Sequence, residues 1–157
     1  RVLDDLLSFA SVALVAGRAN AEVITQSVKK RPNLQIHGYL SPDKMQQLLG
    51  AADIVVSRAG ATTLLELAAL AKPSIIVPNE HLTGGHQVKN AEVYKKAKAI
   101  VVVDDATLTS SPLTLVDVIS ATLLNKNEMK NLSANIREFA KPDAARDMAQ
   151  LIIGAVK

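Results

Sequence analysis

The chain has 157 residues, of which 48% are hydrophobic and spread along its whole length, so it reads as one domain, residues 1–157, with a core of its own. It has no cysteine, which excludes disulfides and thiolate metal sites, and only 3% aromatic residues, which argues against stacking platforms for single-stranded nucleic acid. The net charge of +3 rests on scattered Lys and Arg rather than a stripe, so no nucleic-acid partner is expected.

Val2, Leu3, Leu6, Leu7 and Ala10 have helical spacing, so the chain is expected to open in or just before a helix. A doubly wound domain ordinarily begins with a strand and a glycine-bearing turn, and the chain is read as a piece without them. Strand-type runs follow at 12–16, 34–37, 54–57, 74–77 and 99–103. Several are near-continuous apolar runs, the pattern of strands covered on both faces. Helical stretches at 21–29, 42–51, 61–70 and 86–97 alternate with them. That alternation predicts an α/β fold, a Rossmann-like parallel sheet wound by right-handed crossovers with helices on both faces. Asp104-Asp105 reads as a solvated turn. Three consecutive helices are then expected at 112–124, 128–140 and 144–156, with Pro142 breaking the last two and Asp143 capping the final one. The apolar runs at 99–103 and 151–156 are far too short to span a membrane, and no secretory signal is visible.

Two polar clusters fall where a strand gives way to a helix, the ligand-binding edge of an open parallel sheet. In the first, Ser57-Arg58-Ala59-Gly60 leads into Ala61, Thr62 and Thr63. Gly60 allows a tight turn and close approach of a ligand, and the first-turn N–H groups suit a phosphate oxygen. Glu66 shares a face with Thr62 and Thr63 and could accept hydrogen bonds from a cis-diol. The competing reading is structural: Thr caps the helix and Glu66 complements its dipole. In the second cluster, Gly84-Gly85 precedes His86, Gln87 and Asn90, neutral groups that suit sugar hydroxyls or else simply cap a helix. His81 and His86 lack a third ligand, so no metal site is expected. A third place is Gly38-Tyr39-Leu40 with Met45, an apolar slot for a flat base or a loop packed on its own helix. Gly17-Arg18 lies on the same edge and carries little weight. No nucleophile–base pair stands out.

The string from Ala52 through Ser57-Arg58-Ala59-Gly60-Ala61-Thr62-Thr63 to Glu66-Leu67, then Lys72-Pro73, Pro78 and His86-Gln87-Val88-Lys89-Asn90-Ala91, resembles the MurG family. Pro142-Asp143-Ala144 before a final helix is similar too. Members move N-acetylglucosamine (GlcNAc) from UDP-GlcNAc onto undecaprenyl-pyrophosphoryl-MurNAc-pentapeptide in peptidoglycan biosynthesis. The resemblance implies the C-terminal, donor-binding half of a GT-B glycosyltransferase, inverting, without cofactor or metal. It implies that Glu66 holds the ribose, that Ala61, Thr62 and Thr63 meet the diphosphate and its surroundings, that His86, Gln87 and Asn90 meet the GlcNAc hydroxyls, and that Leu40 and Met45 border the uracil, with Arg58 and Gly60 also among the UDP-GlcNAc-binding residues. Position 86 is His where some relatives have Gln. The glycine-rich phosphate loop, the acceptor-binding and membrane-touching N-terminal domain, and the catalytic base would lie outside this chain. The fragment alone is therefore expected to be inactive, and the full-length protein to be cytoplasmic and peripheral on the inner membrane face. Three other readings stay open, the donor-binding subunit of a two-chain lipid-linked GlcNAc transferase, a UDP-GlcNAc 2-epimerase-like isomerase domain and a non-catalytic nucleotide-binding or interaction domain.

Overall fold

A computed structural model describes residues 2–80 and 83–155. After α1 (Val2–Leu7) the chain alternates β1 (Val12–Val15), α2 (Arg18–Ser27), β2 (Leu34–His37), α3 (Pro42–Ala51), β3 (Val55–Ser57), α4 (Ala61–Ala69), β4 (Ser74–Ile76), α5 (His86–Lys96) and β5 (Val101–Val102). It ends in α6 (Asp105–Ser110), α7 (Leu113–Leu124), α8 (Lys126–Arg137) and α9 (Ala144–Ala155). Among the described residues every strand pair is parallel. β1 pairs with β2, Val12 beside Leu34, and β4 lies between β3 and β5, with Val55 beside Ser74 and Ile75 beside Val101.

Alternation along β4 builds the layers. Ile76 points into a cluster with Leu64, Leu67 and Ala68 of α4, Ala91 and Tyr94 of α5, and Ile136 of α8. Ile75 points the other way, to a cluster with Val77, Val103 and Ile119 of α7, against which Leu6 of α1 and Leu108 of α6 pack. Both isoleucines are 0% exposed. Helices thus cover both faces of the β3–β5 sheet, as an apolar strand in a parallel sheet requires. β1 departs from the expectation of a strand covered on both faces: Leu14 and Val15 are 37% and 38% exposed. Among the described residues it pairs with β2 alone, and no hydrogen-bonded pair joins the two ladders.

Polar side chains finish the helix ends. The Lys72 ammonium donates to the carbonyls of Gly50 (2.6 Å) and Ala52 (2.7 Å), closing the C-terminus of α3. Helices α4 and α5 end alike. Lys72 N–H bonds to the Leu67 carbonyl and Ala71 N–H to that of Ala68; Ala99 N–H bonds to Tyr94 and Lys98 N–H to Lys95. Each is a Schellman turn, whose left-handed position favours glycine. Here those positions are Ala71 (φ 51°) and Lys98 (φ 54°). Helix α8 holds both turns, Ser133 donating to the Ala71 carbonyl (2.8 Å) and Asn135 to that of Lys98 (2.9 Å).

Several elements differ in detail from the sequence reading. Helix α2 begins at Arg18, directly after Gly17, whose φ of 78° lets the chain turn sharply out of β1. The expected solvated turn at Asp104-Asp105 is instead the start of α6. The Asp143 carboxylate is engaged by Arg146 at 2.9 Å. Helix α9 has no buried residue.

Candidate functional site

The connection from β3 to α4 is two residues long, Arg58 and Ala59, between the strand's last residue and the N-cap Gly60. Ala59 is 0% exposed and anchors the connection in the core. Gly60 caps α4 without any side-chain hydrogen bond, so the expectation of a threonine cap is corrected. The first backbone bond of the helix runs from Leu64 N–H to the Gly60 carbonyl at 2.9 Å. The N–H groups of Ala61, Thr62 and Thr63 therefore have no partner inside the helix, and they carry its positive end. Ala61 and Thr62 are exposed and Thr63 half-buried.

Gly60 also differs from its sequence reading as a tight-turn residue. Its φ of −68° and ψ of 134° are open to any residue, and an added Cβ would meet only Thr63 Oγ1 at 3.7 Å. The fold leaves this space clear without needing glycine to do so. Glu66 is exposed one turn into α4, and among the described residues its carboxylate has no hydrogen-bond or ion-pair partner.

The connection from β4 to α5 ends on Gly84 and Gly85, with φ of 59° and 77°. Gly85 is the N-cap of α5, left-handed and again without a side-chain cap. His86 is exposed, while Gln87 and Asn90 are half-buried on one helix face. Gln87 Oε1 accepts from the Asn79 N–H at 3.0 Å, and its Nε2 has no acceptor among the described residues. Asn90 Nδ2 donates to the Ala59 carbonyl at 3.1 Å, leaving Oδ1 as an acceptor. Asn90 thus ties the two polar clusters together. His81 lies outside the described residues.

At the ends of β1 and β2 the backbones come close. A Cβ on Gly38 would lie 3.2 Å from the Ala21 Cβ, tighter than ordinary contact, so a side chain there would have to push α2 back by a few tenths of an ångström. The Arg18 guanidinium sits 4.4 Å from the centre of the exposed Tyr39 ring, a cation–π contact. Gly17-Arg18 therefore has a partner that the sequence did not disclose. Leu40 and Met45 are half-buried, and no hydrogen bond among the described residues ties their loop to the other clusters.

Arg58 is the residue whose surroundings sequence reasoning missed. Its Nη1 donates to Asp105 Oδ1 at 2.7 Å and to the Val77 carbonyl at 3.3 Å. The three connections after β3, β4 and β5 meet on this one guanidinium. A different groove, beside Lys95, Lys98, Asn125, Glu128 and Asn131, lies toward the N-terminal end of β5, where no glycine-capped helix opens.

Residues 4–148 match the family model described as the glycosyltransferase family 28 C-terminal domain. The chain is 36% identical over 142 residues to the UDP-N-acetylglucosamine–N-acetylmuramyl-(pentapeptide) pyrophosphoryl-undecaprenol N-acetylglucosamine transferase of an Exiguobacterium species, covering 90% of this chain and 38% of that protein. It is 33% identical to the transferase of the same name from Salinibacter ruber, covering 98% of this chain and 40% of that one. The chain thus spans about two-fifths of the length of these relatives. The crystal structure of Acinetobacter baumannii MurG superposes with a TM-score of 0.75 at 24% identity, covering 97% of this chain and 44% of that one. The glycosyltransferase VinC superposes at 0.60 with 22% identity, covering 76% and 28%. Both likenesses bear on the fold, a parallel-sheet α/β domain of glycosyltransferase type.

Proposed function

The chain belongs to the glycosyltransferase family 28 C-terminal domain family, and from that premise we propose that it is the donor-binding half of an N-acetylglucosaminyltransferase. Its donor in this reading is UDP-GlcNAc, and the acceptor of the whole protein is undecaprenyl-pyrophosphoryl-MurNAc-pentapeptide, as the names of the relatives suggest. One observation carries the proposal. Two successive strand-to-helix connections open on glycine N-caps that no side chain closes, and Asn90 ties one to the other.

The chemistry follows from those parts. The α4 N-terminus presents Ala61, Thr62 and Thr63 to the diphosphate, with Gly60 giving room for its approach and Arg58 at its edge. The Glu66 carboxylate, without a partner among the described residues, is suited to accept from the ribose hydroxyls. Around the sugar stand His86, Gln87 Nε2 and Asn90 Oδ1, and the Leu40–Met45 slot takes the uracil. In an inverting displacement the acceptor hydroxyl bonds to the anomeric carbon as the bond to the diphosphate oxygen breaks. The electron pair stays on departing UDP. Helix N–H groups fixed in advance stabilise that charge without reorganising. The proton leaves toward a base on the acceptor side, and this chain supplies no catalytic base. The acceptor lipid and the inner membrane face are met by parts of the full-length protein that this chain does not span. None of the described helices is long and apolar enough to cross a membrane.

Calorimetric titration of the chain with UDP-GlcNAc, UDP-N-acetylgalactosamine and GDP-mannose tests the reading. Saturable binding of UDP-GlcNAc, weaker for its sugar epimer and weakest for the guanosine sugar, is expected. No saturable binding at millimolar concentration, or equal binding of all three, would overturn it.

A further inference from the structure

We propose that Asp105 is a positioning residue of the donor site: acting through Arg58, it fixes the connection that presents the α4 N-terminus. The inference rests on the donor-site reading above and adds to it a residue from a different part of the fold.

Between Ser57 and Gly60 only two residues decide where α4 points, and both are held from outside the connection. Ala59 is buried and its carbonyl is held by Asn90. Arg58 is held by Asp105 and by the Val77 carbonyl, all through Nη1. The two anchors pull from opposite elements, α5 on one side and the start of α6 on the other. Asp105 is the better covered partner of the ion pair, its side chain 30% exposed against 49% for Arg58. A guanidinium used in this way has its charge matched by a carboxylate and its plane set by two acceptors. The connection is thereby held in the orientation that aims three N–H groups outward. Without Asp105, Arg58 keeps, among the described residues, the 3.3 Å bond to Val77 alone and regains its rotamers.

The opposite role for Arg58, direct contact with the diphosphate, makes the opposite forecast. Asp105 would then compete with the ligand for the guanidinium, and removing its charge would tighten binding. The sign of the change therefore decides between strut and ligand.

The test uses the 157-residue chain with Asp105→Asn, Asp105→Glu, Arg58→Asp and the charge-swapped pair Arg58→Asp/Asp105→Arg. Amide hydrogen exchange is read without ligand, and UDP is titrated by calorimetry. In Asp105→Asn, exchange at residues 64–67, the first hydrogen-bonded amides of α4, should quicken while that of β4 is unchanged, and UDP affinity should fall about two- to fivefold, the range of a half-exposed ion pair. Asp105→Glu should retain most of the affinity. The swapped pair should recover part of what Arg58→Asp loses. Unaltered exchange at 64–67, or tighter UDP binding by Asp105→Asn, would overturn the proposal. If the unaltered chain binds no UDP, the donor-site reading fails, and the exchange arm still decides whether Asp105 positions the connection.

Discussion

Gly60 is a residue that its own backbone does not require. Its φ of −68° suits an alanine, and the nearest obstacle to a Cβ is 3.7 Å away. Gly60→Ala should accordingly leave the melting temperature nearly unchanged, since a weaker N-cap and a stiffer unfolded chain offset one another to within about 1 kcal/mol. UDP-GlcNAc affinity should fall, because the methyl group occupies the approach to the α4 N–H groups; an unchanged affinity would show that no ligand passes there. Glu66 makes the complementary case. Its carboxylate has no partner among the described residues, so Glu66→Ala should cost little stability. If it bonds a ribose, the same change removes a charged hydrogen bond of about 1.5–3 kcal/mol, roughly a tenfold to hundredfold loss in affinity. Titration and a melting curve on each variant check both. A lower melting temperature with unchanged affinity would make Glu66 a helix-dipole residue.

At the level of elements, helix α5 joins the site to the core. Gln87 and Asn90 lie on its site-facing first turns, while Tyr94 stacks on Phe139 with ring centres 4.1 Å apart. Burial raises the Tyr94 phenol above its ordinary pKa of 10.0. Its contribution to stability is complete below the unfolded-state pKa. It is lost as pH rises toward the folded value, because the unfolded chain releases the proton first. The melting temperature should therefore drop above pH 10, less steeply for Tyr94→Phe than for the unaltered chain. Parallel curves for the two would remove Tyr94 as a cause. Most of these elements were legible from the sequence, because an apolar run such as Ser74–Ile76 and the spacing Leu64, Leu67, Ala68 are local signals. Helix α3 and strand β2 match their expected bounds for that reason. The short α6 and the bond from Arg58 to Asp105 were not legible. A partner 47 positions away is chosen by where three strand ends converge, and nothing in Asp104-Asp105 itself announces it.

For the whole molecule, the layers and the glycine-capped edge were within reach of the sequence, and so was the likeness to MurG. The exposure of β1 was not, since an apolar strand gives no sign of what covers it. The chain spans about two-fifths of its relatives, and in the proposed reaction the base and the acceptor come from elsewhere. The purified 157-residue chain should therefore bind UDP-GlcNAc but transfer no GlcNAc to a lipid-linked acceptor. Measurable product from the chain alone would contradict the division into a donor half and an acceptor half.

The turns that end α4 and α5 leave unused room for thermal improvement. At Ala71 and Lys98 a side chain sits in a backbone region where it costs about 1–2 kcal/mol, of which roughly 0.4–1 kcal/mol would be returned as extra freedom of an unfolded glycine chain. Ala71→Gly or Lys98→Gly should each raise the melting temperature by about 1–4 °C in a domain of this size. The hydrogen bonds from Ser133 and Asn135 reach backbone carbonyls, so they survive either change. Both positions are distant from the glycine-capped edge. The domain can thus be made hardier for crystallisation or screening while its ligand chemistry stays as it is.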